Sequence, residues 1–190
     1  MMLRTNGSGG LAIALTAVII MLSGCSSGVT RTDGRKASVF MPSAEVPIGA
    51  VKVATTDEVR GKLKDSIKFS PEQLRSSIEQ ALKSNQMFAS QPGGGVSMEV
   101  LVTHARVRST FNAMMWGAMA GNDALEGDVT IKDASGKVID KFSISASYAL
   151  GGFAGGQDST RVGWLYEAFS KQVIGQFKPE AVADLKQTRN

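Results

Sequence analysis

The chain has 190 residues, 43% apolar and 20% charged, and its 21 Lys and Arg against 17 Asp and Glu leave a formal charge of +4. That suits one globular domain and excludes a disordered polyelectrolyte and a polytopic membrane protein; a charge so balanced also lacks the basic face a nucleic-acid binder needs, so no nucleic acid is expected as a partner. A single Cys allows no internal disulfide and a single His no multi-histidine metal site.

The amino end carries Arg4 as its only charge before an apolar run over residues 11–22, followed by Leu22, Ser23, Gly24 and Cys25. The layout is that of a secretory signal peptide, and the run is shorter than the roughly 20 residues that span a bilayer. The four residues Leu22-Ser23-Gly24-Cys25 resemble the bacterial lipobox, which implies removal of residues 1–24 and lipidation of Cys25 with acyl chains such as palmitate. An ordinary signal peptide with a chance Cys near the cut, or a buried Cys, is the alternative. Ser26 and Ser27, where an Asp would retain the protein at the inner membrane, imply a lipid-anchored protein of the outer membrane, on its periplasmic face.

Residues 25–47 are rich in Ser, Gly, Thr, Arg and Pro without an apolar period, as in a flexible tether that would hold the domain several tens of Å from the membrane at about 3.5 Å per residue. Arg31, Arg35 and Lys36 there serve solubility or rest on anionic lipid. The domain itself is expected over residues 48–178, with a polar tail over 179–190. Alternation of Val51, Val53 and Thr55 with Lys52 and Ala54 predicts a strand over 48–55, followed by a polar, basic connection through Lys62, Lys64 and Lys68.

Ser70 then stands as a helix cap, Pro71 at the first helical position, Gln73 at capping-box spacing, and Phe69 with Leu74 as a hydrophobic staple. The apolar stripe of that helix is Leu74, Ile78, Ala81 and Leu82, and Pro92 with three glycines ends the segment. Val96, Met98, Val100 and Val102 predict a strand running to about residue 108. Leu125, Val129 and Ile131, the turn Asp133-Ala134-Ser135-Gly136, and Val138, Phe142, Ile144, Ala146 and Tyr148 predict a β-hairpin. A last helix begins at 158–160 and turns Val162, Leu165, Phe169, Val173 and Phe177 inward. The expected fold class is α+β: a two-layer sandwich with a mostly antiparallel four-stranded sheet and two helices on one face.

Lipobox, tether, early strand, the helix end Ala81-Leu82-Lys83-Ser84-Asn85-Gln86-Met87-Phe88, the hairpin around 127–139, a Gly-rich loop and a closing helix together resemble a family of uncharacterised bacterial envelope lipoproteins. That family is similar in turn to the small α/β domain at the amino end of the Tol translocation protein and in the curli-secretion lipoprotein. The resemblance covers roughly residues 48–177, implies the fold, and transfers no catalytic position.

Catalytic equipment is not evident. His104 lacks an accompanying nucleophile motif, and Gly136-Lys137 belongs to a turn, with Ile131 and Val138 where a phosphate loop requires other residues. Asp123, Glu126 and Asp128 could gather a cation, although Glu126 and Asp128 fall on one strand face where solvation is the commoner role. The expectation is therefore no enzyme, no cofactor and no metal. The sharper feature is the uncharged segment 111–121, with Phe111, Met114, Met115, Trp116 and Met119, placed between two strands where a polar turn would suffice. Leu150 and Phe153 lie in a second apolar, Gly-rich stretch after the hairpin, and in a meander both could project from one end. Exposed, they form an interaction surface; folded back, they extend the core. The first alternative makes the protein a membrane-anchored, non-enzymatic protein-binding or assembly module of the cell envelope, with an envelope protein or a second copy as partner. The other function class is a periplasmic carrier or sensor of a small apolar ligand such as a lipid.

Overall fold

The computed structural model describes residues 27–35, 37–65, 69–90, 95–108, 122–148 and 158–178, the side chains of 63–65 and 158 excepted. The elements are β1 (Gly28–Thr30), β2 (Ile48–Thr55), α1 (Asp57–Asp65), α2 (Pro71–Ser84), β3 (Val96–Arg106), β4 (Asp123–Lys132), β5 (Val138–Tyr148) and α3 (Asp158–Gln176). They form a five-stranded open sheet in the order β1-β5-β4-β3-β2, mixed because β2 and β3 are parallel while all other pairs are antiparallel. The parallel pair follows from its connection: only a long crossover, here α1 and α2, joins parallel neighbours. Among the described residues no helix is long and apolar enough to cross a membrane.

The expected four-stranded, mostly antiparallel sheet with two helices is thus, among the described residues, a mixed five-stranded sheet with three. The additional strand is β1, inside the segment read as a tether. Its three residues pair with Ser143 to Ser145 of β5, a match made by the edge of an existing sheet and not by any apolar period of their own. The additional helix is α1, in the segment read as a basic connection. Among its described side chains Val59 alone is turned fully into the core, so the helix is marked mainly by its ends and charges. The Val59 amide donates to the Thr56 hydroxyl, Asp57 and Glu58 occupy the first turn, and Glu58 pairs with Lys62 at 2.6 Å.

At α2 the expected cap is present in part. The Gln73 amide donates to Ser70 Oγ at 3.2 Å with Pro71 beside it, while Phe69 and Leu74 are both buried. The reciprocal half of the capping box is replaced by a tertiary contact, for the Ser70 amide donates to the Tyr166 hydroxyl of α3 at 2.7 Å.

The core lies between the sheet and the packed pair α2 and α3. Met98, Val100, Val102, Leu125, Val129, Ile131, Phe142 and Ile144 face Leu74, Ile78, Leu82, Val162, Leu165, Phe169 and Val173. The other sheet face carries Lys52, Glu126, Lys141 and Ser143, all exposed. An irregularity between Val102 and His104 shifts the alternation of β3, so that Ala105 returns to the core. Val138, expected inside, is 51% exposed because it stands at the turn end of β5, beyond a register shift opposite Ile131 and Lys132.

One inward position of β4 must be small. A Cβ on Gly127 would stand 3.0 Å from the Leu101 carbonyl oxygen and 3.4 Å from the Phe169 ring. The backbone oxygen cannot yield without moving β3, so Gly127→Ala should destabilise the domain by about 1–3 kcal/mol, as overpacking does. A urea midpoint lowered at unchanged slope is the expected result; an unchanged midpoint would show that the ring and strand relax freely.

Candidate functional site

All the residues singled out as lipidation or interaction sites, namely Cys25, Phe111, Met114, Met115, Trp116, Met119, Leu150 and Phe153, lie outside the described residues. What the structure describes is the ground from which their segments leave. β3 ends at Arg106 beside Ala124, β4 begins at Asp123 beside Tyr148, and Tyr148 ends β5. The first turns of α3 arrive at the same place, with Trp164 against Tyr148 at a centroid distance of 4.7 Å. Segments 109–121 and 149–157 are therefore rooted at one end of the sheet.

That end is built around a buried ionic cluster. Asp123 is fully buried, and Arg108 and Arg161 are 5% and 1% exposed. The Asp123 carboxylate accepts the Arg108 backbone amide at 2.7 Å and Arg108 Nε at 3.1 Å on Oδ1, and Arg108 Nη2 at 3.4 Å on Oδ2. Arg161 Nε stands 3.1 Å from Oδ2 as an ion-pair contact, and Arg161 Nη2 donates to the Arg108 carbonyl oxygen at 2.6 Å. One carboxylate thus ties together the last described residue of β3's outgoing chain, the first residue of β4 and the first turn of α3. Burial and the Asp123 charge push the Tyr148 phenol above its ordinary pKa, with Arg161 and Arg108 pulling the other way. The cluster is a holding device: it has no nucleophile, and its carboxylate is occupied by donors.

A second buried cluster holds the amino end. Arg31 Nη1 and Nη2 donate to the two oxygens of Asp140 at 2.7 and 3.1 Å, Arg31 Nε donates to Gln176 Oε1 at 3.0 Å, and the guanidinium lies 4.7 Å over the Phe142 ring. Ser38 hydrogen-bonds Asp140, Arg35 approaches it at 3.2 Å, and the Ser38 amide donates to the Gln176 carbonyl. Burial pushes the Asp140 carboxyl up, yet the Arg31 and Ser38 hydrogen bonds and the Arg31 charge outweigh it and hold it below its ordinary value. Arg31 is therefore a structural counter-ion with no surface left for lipid.

The remaining sequence candidates separate. Asp123 faces the core, whereas Glu126 and Asp128 stand on the opposite face, so the three do not converge. The Ser143 hydroxyl donates to Asp128 at 2.6 Å beside a shallow depression of about 280 Å³ on that face. Among the described residues no group of three His, Cys, Asp or Glu side chains could hold a metal. His104 is half-buried across from Glu126, without a nucleophile at hand in the ladder. Gly136 takes φ +83° in the hairpin turn, where Asp133 accepts the Ser135 and Lys137 amides. Arg108, Arg161 and Asp140 are absent from the sequence candidates and Arg31 stands there as a surface charge, though Asp140 and Arg161 each have a signal. Asp140 falls in phase with the inward Phe142 and Ile144, and Arg161 precedes Leu165 by one helical turn.

The sequence over residues 35–152 matches one family model, which spans most of the sheet and both helices of the crossover. The chain belongs to the DUF4410 family, described as a domain of unknown function. No curated protein matches this DUF4410 chain. Among solved structures it is similar to the PelC dodecamer from Paraburkholderia phytofirmans, at 14% identity and a TM-score of 0.46, over 76% of this chain and 96% of that one. It is also similar to XCC0632 from Xanthomonas campestris, of family DUF330, at 11% identity and a TM-score of 0.41, over 80% and 96%. At these values no functional statement passes from those proteins to this DUF4410 domain.

Proposed function

We propose that this DUF4410 protein is an outer-membrane lipoprotein, anchored through acylated Cys25 and facing the periplasm, whose domain is a non-enzymatic interaction or assembly module. Its binding surface is made by residues 109–121 and 149–157, with Phe111, Met114, Met115, Trp116, Met119, Leu150 and Phe153 as the contacting side chains, and its partner is an envelope protein or a second copy. The observation that carries this reading is the common root of the two segments. Two uncharged stretches rich in Met, Phe and Gly leave from one end of a sheet whose strands and helix are tied by Arg108, Asp123 and Arg161. A rigid base under adaptable apolar side chains is what a binding surface requires. The finer resemblance, to the small α/β domains of the Tol translocation protein and the curli-secretion lipoprotein, rests on the order of elements and belongs to this proposal. The rival function, carriage of an apolar ligand between helices and sheet, is disfavoured because Met98, Phe142 and Phe169 already fill that space.

A photoreactive residue at Met115 in intact cells, with Ser76, exposed on α2, as control, tests the reading. A discrete adduct from position 115 alone is expected, its mass naming the partner or revealing a homodimer. Equal labelling from both positions, or none from 115, would sink it. Uptake of an apolar fluorophore that Met115→Ser abolishes would support the carrier instead.

A further inference from the structure

We propose that the loop-bearing end of the domain, marked by Ser27, Arg106, Asp123 and Tyr148, lies directly against the phospholipid surface that holds the anchor. The proposal rests on the reading of Cys25 as lipidated. It replaces the extended tether with a seat.

The argument begins with strand register. β1 runs antiparallel to β5, Gly28 beside Ser145 and Thr30 beside Ser143, so the chain followed back toward its amino end approaches Tyr148. It is held there: the Ser147 amide donates to Ser27 Oγ at 2.8 Å, and the same hydroxyl lies 3.4 Å from the Ser147 carbonyl oxygen. Two peptide units separate Ser27 from Cys25, so the Cα atoms of the two residues can be no more than about 7 Å apart. Acyl chains on Cys25 must lie in hydrocarbon, and their attachment point then draws Ser27 and Ser147 to the bilayer surface. The buried pair of Arg31 and Asp140 prevents β1 from peeling away to serve as a spacer.

The same end is the one from which segments 109–121 and 149–157 depart, and neither contains a single charged residue. A domain anchored this closely must present that end to lipid headgroups and the upper acyl region, where charge would be costly and Trp, Phe and Met are well accommodated. The opposite end, the turn over residues 133–137, stands about 33 Å away along β5 at roughly 3.3 Å per residue. Any protein partner of the loop end is accordingly one that sits in or on the same membrane.

The test uses the full, acylated protein in vesicles of phosphatidylethanolamine and phosphatidylglycerol that carry a headgroup-nitroxide phospholipid. A fluorophore is attached at Ser159→Cys, in the exposed first turn of α3, or at Ala134→Cys, in the exposed distal turn; the lipid on Cys25 leaves the new thiol as the reactive one. Quenching several-fold stronger at 159 than at 134 is expected. Asp140→Asn, at a temperature where circular dichroism shows the destabilised domain still folded and trypsin cleavage at Arg31 shows β1 released, should bring the two positions together while the protein stays membrane-bound. Equal quenching at both positions in the unaltered background, stronger quenching at 134, or quenching at neither, with intact mass showing acyl chains on Cys25, would overturn the seat. A strong protein crosslink from position 115 without quenching at 159 would likewise replace lipid with a protein cap. An intact mass without acyl chains would remove the anchor reading itself, and this inference with it.

Discussion

Asp123→Asn should destabilise the domain by about 3–5 kcal/mol, the cost of leaving buried cations without their counter-charge. The side chain is fully buried, and Asn keeps its shape while removing the charge that Arg108 and Arg161 face. Its amide NH₂ would moreover present donors to guanidinium donors on one side. For a domain of this size the loss amounts to a fall in melting temperature of roughly 2–4 °C per kcal/mol. A double-mutant cycle with Arg161→Met separates charge from packing. If the carboxylate serves Arg161, the double variant should be less unstable than the two single losses added together, because the buried cation is gone. Additive losses would mean that the Arg161 contact carries little energy. The Met115 crosslink should weaken in Asp123→Asn even below its melting temperature, since the chain at Arg108, the start of β4 and the first turn of α3 are no longer tied. A stable variant with full crosslinking would show that the cluster neither holds the fold nor positions the surface.

The second large effect concerns the amino-terminal clasp. Asp140→Asn strands Arg31, whose side chain is 2% exposed and which keeps only Gln176 and the Phe142 ring as partners, so a loss of similar size is expected. Here pH supplies an independent reading. The folded carboxyl sits below its ordinary value of 3.8, so the native state favours the charged form. Its contribution is complete above pH 3.8 and disappears as the pH falls through the lower, folded value. The stability of the unaltered protein should therefore decline below about that pH more steeply than that of Asp140→Asn, the two curves converging in acid. Parallel curves would show that Asp140 does not couple to folding. Trypsin sensitivity at Arg31 and Arg35 reports whether loss of the clasp releases β1.

These two clusters also mark where the sequence was readable and where it was not. The core strands, α2 and α3 were legible because apolar residues recur at the period of the element they form: Val96 to Val102 every second residue, Val162, Leu165, Phe169 and Val173 at helical spacing. α1 is hard to read from the sequence because its nine residues hold two apolar side chains, Val59 and Leu63, among mostly charged ones, and Thr56, Asp57 and the Glu58–Lys62 spacing are its other marks. β1 had no period at all. The acidic trio of Asp123, Glu126 and Asp128 dissolved under strict alternation, which places the odd-numbered member inside and the even-numbered ones outside.

The sequence by itself determined the apolar run that precedes Cys25, the order of the main elements, the inward faces of the sheet and helices, and the membership of one family over residues 35–152. Each of these rests on residues near one another in the chain. Only the tertiary structure decided that β1 and Ser38 belong to the domain, and that Arg31 meets Asp140 and Arg108 and Arg161 meet Asp123. It alone brought the roots of two distant apolar segments to one end of the sheet. The physical reason is that a buried ion pair or an edge-strand match joins positions many tens of residues apart, and no local period records which partner across that distance will neutralise a charge or fill a ladder.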